Sequence, residues 1–555
     1  MKKITFSILI AIVIAGCVQN ASYIAPIPSL ERRGEAVQLM VDGKPFLVLG
    51  GELHNSSAST AAYMEPIFPR LKEGGLNTVL AVVAWEQIEP EENVFDFSIV
   101  DELLDVARRN DLRLALLWFG SWKNGITSYV PAWVLKDKAR FPLIKTKSGA
   151  ELNILSTFAQ ASVEADAKAY RALMKHIAQV DHQRTVIMMQ IENEVGLHGD
   201  TRDYHPAALE AFEAKAPDEL IEYLKTNDGK HLLPEFQEAW NSNGKKTSGN
   251  WEEILGKGDY TDELFMAWYY AKYLDRITAA GKEEYPIPAF VNAWIVQPQD
   301  QHPGDYPSGG PQAQNLDIWR AAAPHIDLLC PDIYLPDYIA ITELYARLGN
   351  PLFIPESSAG VQGAANAFYA IGQMKAIGYS PFGIDSRMTD PKTEPIALAY
   401  QTLESMCPLI LEHQAQGSIR GFWLKEENPQ VRRMTHTLGK YGIKVELVRN
   451  RRPTQESSPV GFGLVMMITD DEYIVAGQNI QVTFEPADGK TTAGLAKVQQ
   501  GEFVNGNWTP TRWLNGDEIQ LRYDLLEAQK ENQSGQGLRL RGNEISMQRV
   551  WLYDY

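Results

Sequence analysis

At 555 residues the chain is too long for one ordinary hydrophobic core, so two or more domains are expected. Hydrophobic residues make up 45% and charged residues 22%, an ordinary globular composition. A formal net charge of −18, with no basic cluster beyond pairs such as Arg432-Arg433 and Arg451-Arg452, argues against a nucleic-acid surface.

The chain opens MKKITFSILIAIVIAGC. Lys2 and Lys3 precede an apolar run from Ile4 to Ile14, too short for a comfortable membrane span. Ile14-Ala15-Gly16-Cys17 resembles the bacterial lipoprotein signal, which implies a signal segment at 1–17, lipidation of Cys17 and export. Residues 18–40 then read as a tether. Its first residues, VQNAS, lack an acidic cluster, which favours the periplasmic face of the outer membrane, with membrane contact through the lipid alone. Cys330 and Cys407 read as buried small side chains rather than a disulfide framework.

From 41 to 425 apolar strand-like runs alternate with amphipathic helical ones. The first strand, 46–49, leads into GGELHNSS and a helix, TAAYMEPIFPRLKEGG, stopped by Gly74-Gly75. Next come LNTVLAVVAW (strand), FSIVDELLDVARRND (helix), LRLALLWFGSW (strand), SVEADAKAYRALMKHIAQV (helix) and TVIMMQIENE (strand). A polar stretch at about 197–260, carrying Pro206, Pro217 and Pro234, reads as an insertion with helices. The alternation resumes with the helix DELFMAWYYAKYLDRITAAG and the strands IPAFVNAWI, HIDLLCPDIY, PLFIPES and SPFGIDS, then the helix PIALAYQTLESMCPLILEH. Continuous apolar strands are those of a parallel sheet covered on both faces. Eight such units point to an α/β domain, a (β/α)8 TIM barrel; a doubly wound open sheet is the alternative. From 426 to 555 short alternating runs, among them GLVMMITDDEYIVAG, NIQVTFEP, EIQLRYDLL, GLRLRG and RVWLYDY, read as an antiparallel β-sandwich.

Catalytic groups of such barrels sit at the C-terminal ends of the strands. Those ends hold Glu52, His54 and Asn55; Trp85 and Glu86; Trp118 and Trp122; Glu192, Asn193 and Glu194; Asn292 and Trp294; Asp332 and Tyr334; Glu356; and Asp385. Aromatic faces stack on pyranose rings while carboxylates and amides bond hydroxyls, so the set suits a sugar site. Hydrolysis of a glycosidic bond usually takes two carboxyl groups. The fourth and seventh strands face each other across a barrel mouth and supply them, although position alone leaves Glu192 and Glu194 equivalent. Core packing is the competing reading for Trp85, Trp118 and Trp122, and the favoured one for Trp508, Trp513 and Trp551.

QIENEVG resembles the Asn-Glu signature of clan A glycoside hydrolases, and more closely the Q-x-E-N-E-Y-G of family 35, the β-galactosidases. LKEGGLNTVLAVVAWEQIEPEENVFDFS is similar to that family's second-strand region, and LFIPES to the nucleophile strand of families 35 and 42. The resemblance implies a retaining mechanism, with Glu194 as general acid/base and Glu356 as nucleophile. It also implies that Asn193 bonds the sugar 2-hydroxyl and Tyr334 bonds the nucleophile. Glu52, His54, Trp85, Glu86 and Trp122 are expected to line the substrate site. The sequence departs from the pattern at Asn55, at Val195 and in LLWFGSWKNG after the third strand, positions that shape the sugar pocket.

The expected activity is removal of terminal β-galactosyl residues from oligo- or polysaccharides. Alternatives are another retaining exo-β-glycosidase, acting on glucosamine, fucose or arabinopyranose, or a non-catalytic glycan-binding lipoprotein. No G-x-x-x-x-G-K-[ST], H-E-x-x-H or G-x-S-x-G motif occurs, and no histidine pair has metal-ligand spacing. Neither metal nor cofactor is expected. The partner is carbohydrate, and the oligomeric state is left open.

Overall fold

The computed structural model describes residues 25–296, 301–425, 432–448, 460–521, 525–531, 533–542 and 544–555. The expected signal segment and Cys17 lie outside them. The expected tether is structured from residue 25 onward. Ser29–Arg33, Ala36–Val41 and Lys44–Phe46 form an antiparallel three-stranded sheet. Leu39 and Val41 alternate inward and join Val48, Leu80, Leu117, Ile187, Phe290, Leu328 and Phe353 in one buried cluster. Val48, Ile187, Phe290 and Leu328 start their strands, so this sheet plugs the N-terminal end of the barrel and burial of Leu39 and Val41 overrides a tether role.

Seven parallel strands run in the spatial order Gly378–Tyr379, Val48–Glu52, Thr78–Ala84, Arg113–Lys123, Val186–Asn193, Ala289–Trp294 and Leu328–Asp332. Parallel bridges Ile333↔Ser357 and Ile354↔Tyr379 insert the segment around Glu356 between the two ends and close the ring. Pro355 has no N–H to give, which is why this seventh segment makes bridges instead of a ladder. The result is a (β/α)8 barrel. Alternation separates its layers: Leu80, Val82 and Ala84 point inside, while Val79, Ala81 and Val83 meet the helices.

The eighth strand is earlier than SPFGIDS suggests. It is Gly378–Tyr379, continued by a bridge from Phe382 to Glu52, and Ile384–Arg387 is a helical turn. Gly378 packs so closely on the first strand that a Cβ there would lie 2.3 Å from the Val48 carbonyl oxygen, and a glycine conceals a strand from a pattern of apolar residues. In the insertion the prolines begin helices: Pro206–Glu213 and Pro234–Ser242 carry them in the first turn, and Pro217 caps Asp218–Lys225.

The antiparallel domain begins with Ile419–Lys425, before the expected boundary at 426. That strand joins Val460–Thr469, Glu472–Gln478, Ser546–Asp554, Ala493–Val504 and Asn507–Leu514 in one sheet. Arg433–Leu438, Tyr441–Leu447, Ile480–Pro486 and Leu538–Leu540 form the other. Phe422, Ile443, Val465, Val475, Val482 and Val550 fill the space between. Phe462, Leu464, Met466 and Ile474 on the opposite face of the six-stranded sheet pack on Phe368, Ile371 and Tyr400 of the barrel helices. Among the described residues of EIQLRYDLL, Glu518 ends the 3-10 turn Gly516–Glu518, Gln520 makes a single antiparallel bridge to Gln536, and Leu525 and Leu526 begin the helix Leu525–Lys530. Trp513 is 64% exposed rather than core, with Lys497 over its ring.

Candidate active site

The C-terminal strand ends converge on a cavity of about 830 Å3 lined by Lys123, Asn124, Tyr129, Glu194, Trp294, Asp332, Tyr334, Glu356 and Phe382, among others. Carboxylate oxygens of Glu194, Asp332 and Glu356 all lie within 4.8 Å of one another. The fourth and seventh strands thus bring their acids together.

Backbone geometry separates Glu192 from Glu194. Strict alternation would put both on one face, but Glu192 (φ 59°) and Glu194 (φ 46°) are both left-handed, so the strand twists out of alternation at its end. Glu192 turns away from the cavity. Its carboxylate accepts from the amides of Gly120 (3.2 Å), Ser121 (2.9 Å) and Trp122 (2.8 Å) and lies against Asp166. A Cβ at Gly120 would stand 2.5 Å from that carboxylate, which accounts for the glycine. Burial and the Asp166 charge push Glu192 well above the usual carboxylate range, so this buried pair holds a proton. Glu194 instead faces the cavity, its backbone N–H fixed by Asn292 Oδ1 at 3.0 Å.

Asn292 organises the remainder. Its Nδ2 donates to Asp332 Oδ2 at 2.8 Å and Asn193 Oδ1 at 3.0 Å, and reaches Glu356 Oε1 at 3.5 Å. Gln190 also donates to Asn193 Oδ1 at 3.0 Å, and Asn193 Nδ2 donates to Asn124 Oδ1 at 3.2 Å. Tyr334 Oη donates to Glu356 Oε2 at 3.0 Å.

Electrostatics divide the acids. Burial, then the charge of Glu356, raises Glu194 to about 7, while Lys123 and a hydrogen bond with Asp332 pull the other way. Asp332 is pushed well above the usual range by burial, then by the charges of Glu356, Glu194 and Glu52. Burial raises Glu356 as well, opposed by Lys123 and the Tyr334 hydroxyl. One carboxyl therefore holds a proton near neutrality, and another has two groups favouring its charge. Among the described residues, Glu194, Asp332 and Glu356 are the group with convergence suited to a metal. Asn292, Tyr334 and Lys123 all favour those same acids as hydrogen-bond donors or by charge, an environment suited to shared protons and sugar hydroxyls.

Other expected site residues fall elsewhere. Glu52 is fully buried beneath the acids, with neither oxygen hydrogen-bonded, and burial and the charge of Glu356 raise it strongly. Trp85 and Trp122 are core: their indole N–H groups bond Glu89 at 3.0 Å and the Leu155 carbonyl at 3.2 Å, and neither lines the cavity. They point outward because the outward set of each strand meets the helices. Glu86 is exposed at the rim, its N–H on the Tyr129 carbonyl. His54 sits behind Phe382, bonded to Ser386 at 3.0 Å, rather than in the cavity wall. Asn292, Trp294 and Asp332 were legible as strand ends but carried no role. Lys123 and Tyr129 were missed; their only signal is their place at the end of the third strand and in the loop that follows it.

Residues 57–261 match a family model described as beta-galactosidase, of glycoside hydrolase family 42, and residues 396–525 match a domain of unknown function. The beta-galactosidase of Xanthomonas manihotis is 27% identical over 211 residues, 36% of this chain and 32% of that one. A beta-1,2-glucosyltransferase of Ignavibacterium album is 24% identical over 257 residues, 42% of this chain and 34% of that one. The solved beta-galactosidase of Bacillus circulans sp. alkalophilus aligns with a TM-score of 0.44 at 15% identity, over 66% of this chain and 57% of that one. The chain spans about a third of the length of the curated relatives it matches. The barrel thus resembles glycoside hydrolases of β-galactosidase kind over residues 57–261. The matching model is that of family 42, whereas the motifs resemble family 35.

Proposed function

We propose that this chain, β-galactosidase-like over its barrel, removes terminal β-linked sugars, galactose foremost, with retention of anomeric configuration. The observation that carries the reading is the approach of Glu194 and Glu356 to within 4.8 Å, close to the roughly 5–5.5 Å of retaining enzymes and short of the roughly 6.5–9.5 Å that an inverting enzyme needs for its water.

In this reading Glu194, protonated near neutrality, gives its proton to the glycosidic oxygen as Glu356 attacks the anomeric carbon. The C–O bond breaks and the sugar becomes an ester of Glu356. Esterification removes the charge of Glu356, the second-largest cause holding a proton on Glu194. Glu194, having given up its proton, therefore stays ionised and takes a proton from the incoming water, which displaces Glu356 from the sugar. Asn292 orients the acids, Asn193, held beside it, bonds the sugar 2-hydroxyl, and Trp294 and Tyr129 offer aromatic surface to the ring.

The test is a panel of nitrophenyl β-glycosides together with a 2-deoxy-2-fluoro galactoside. The galactoside should turn over, and mass mapping should find one fluoro sugar on the peptide bearing Glu356. An inert galactoside beside a reactive glucosaminide, fucoside or arabinopyranoside would change the sugar and keep the mechanism. Kinship to a glucosyltransferase supports one second reading, in which a sugar hydroxyl rather than water resolves the ester; product analysis with added acceptor sugar distinguishes the two. The paired acids, one protonated near neutrality, favour an enzyme over a glycan-binding protein without turnover. We further propose export and attachment through lipidated Cys17, on the periplasmic face of the outer membrane.

A further inference from the structure

The loop where the sequence departs most from the family-35 pattern delivers a cation to the site. Lys123 ends the third strand beside Asn193 and lines the cavity with Glu194, Asp332 and Glu356. Its backbone is pinned by a two-way pair with Ile126, N–H to carbonyl at 2.8 Å and back at 3.1 Å, around Asn124 (φ 52°) and Gly125 (φ 66°). Its ammonium stands 5.2 Å from the centroid of Phe119. Among the described residues this side chain closes no ion pair, and Lys123 is the one basic residue lining the cavity. A lysine beside several carboxylates ordinarily commits to one of them. Here the ammonium serves the pocket as a whole.

We infer that Lys123 is a positioning residue for the reaction: its ammonium keeps Glu356 in the ionised form that nucleophilic attack requires, in a pocket otherwise crowded with acids. The inference rests on the proposed retaining mechanism. Glu356 is faced by Glu52 from the first strand, Glu194 from the fourth and Asp332 from the sixth, with the Tyr334 hydroxyl on one of its oxygens. His198 packs on Trp294 and beside Gly125, but burial disfavours its charged form, so it supplies no countercharge. That leaves Lys123. Its field opposes protonation of Glu52, Glu194 and Glu356 alike, and at Glu356 it outweighs the Tyr334 hydrogen bond. Without it, the rise that burial imposes on Glu356 would be opposed by the Tyr334 hydroxyl alone, and a protonated carboxyl does not attack carbon.

The experiment compares full-length wild type, Lys123→Met, which keeps the apolar stem, and Lys123→Arg, which keeps the charge. The dependence of kcat/KM on pH is measured with whichever nitrophenyl glycoside wild type hydrolyses. In Lys123→Met the acidic limb should move up by about one pH unit or more, as loss of a close opposite charge dictates, with activity recovering as pH rises. Lys123→Arg should keep the wild-type limb. A Lys123→Met profile that overlays wild type, or a loss equal at every pH and shared by Lys123→Arg, would overturn the inference. A second readout needs no turnover: carbon NMR titration of labelled glutamate, with Glu356 assigned through Glu356→Gln, should show the Glu356 carboxyl titrating higher in Lys123→Met. An unmoved signal would equally overturn it. Failure of wild type to hydrolyse any glycoside would sink the proposed function, and the NMR comparison would still decide the role of Lys123.

Discussion

Tyr334 donates its hydroxyl to Glu356 at 3.0 Å across the end of the barrel's sixth and seventh strands. The tyrosine is half exposed, so it forms part of the cavity wall as well as bonding the acid. The bond favours the charged carboxylate and opposes the rise that burial imposes. Tyr334→Phe keeps the ring and removes the donor. A hydrogen bond to a charged group contributes about 1.5–3 kcal/mol. Turnover should therefore drop roughly 10- to 100-fold at neutral pH, with the acidic limb displaced upward. Steady-state kinetics across pH checks this, and an unchanged limb would remove Tyr334 from the mechanism.

Glu194 and Glu356 should respond differently to removal. Glu356→Ala should lower turnover by several orders of magnitude for every leaving group, because no ester forms. Glu194→Ala should be severe for natural-type leaving groups and much milder for dinitrophenyl glycosides, which depart without a proton. Equal losses on both substrates would contradict the assignment of Glu194 as acid.

Much of this was readable beforehand, for a definite reason. Buried parallel strands are apolar on both faces, so TVIMMQIENE and LRLALLWFGSW announce both the strand and the polar end that follows it. The seventh strand was readable despite Pro355 because its neighbours Phe353 and Ile354 are fully buried. The eighth was misplaced because its pairing depends on Gly378 rather than on an apolar run. Trp85 and Trp122 were misjudged because adjacency in sequence to a strand end does not tell which face a side chain takes. Only the left-handed turns at Glu192 and Glu194 decide which acid meets the cavity, and no periodicity encodes them. Lys123 escaped notice because its importance lies in charges contributed by four other strands.

Glu192 is expected to matter for stability rather than chemistry. Its carboxylate satisfies three backbone amides of the third-strand loop in a fully buried setting. Glu192→Ala takes their acceptor from the Gly120 and Trp122 amides, while Ser121 keeps Asp166 Oδ2 at 3.1 Å, at about 1–3 kcal/mol for each buried unsatisfied group. Thermal denaturation should show a loss of several degrees or failure to fold, whereas Glu194→Ala should unfold no earlier than wild type.

The converging carboxylates of Glu194, Asp332 and Glu356 invite a check for a bound ion. In the proposed mechanism they act through protons. Extended dialysis against EDTA should leave turnover of the preferred glycoside unchanged, and added magnesium, manganese or calcium should not raise it. Activity lost to EDTA and restored by one of these ions would replace the proton mechanism.

The raised proton affinity of Glu194 also makes stability depend on pH. Its carboxyl is raised to about 7 in the folded chain from an ordinary value of 4.5. The folded state thus binds more protons than the unfolded state between those values. The associated stability is fully present below the unfolded pKa and is lost as pH rises through about 7. At about 1.4 kcal/mol per pH unit the loss is on the order of 3 kcal/mol for this buried group. Glu194→Gln holds a neutral side chain at every pH and should remove that component. Denaturant titrations at pH 5 and pH 8 should show wild type losing more stability than Glu194→Gln over the interval. Parallel pH dependence in the two proteins would mean that Glu194 does not carry the proton, and the acid in the first step would have to be found elsewhere among the buried carboxyls.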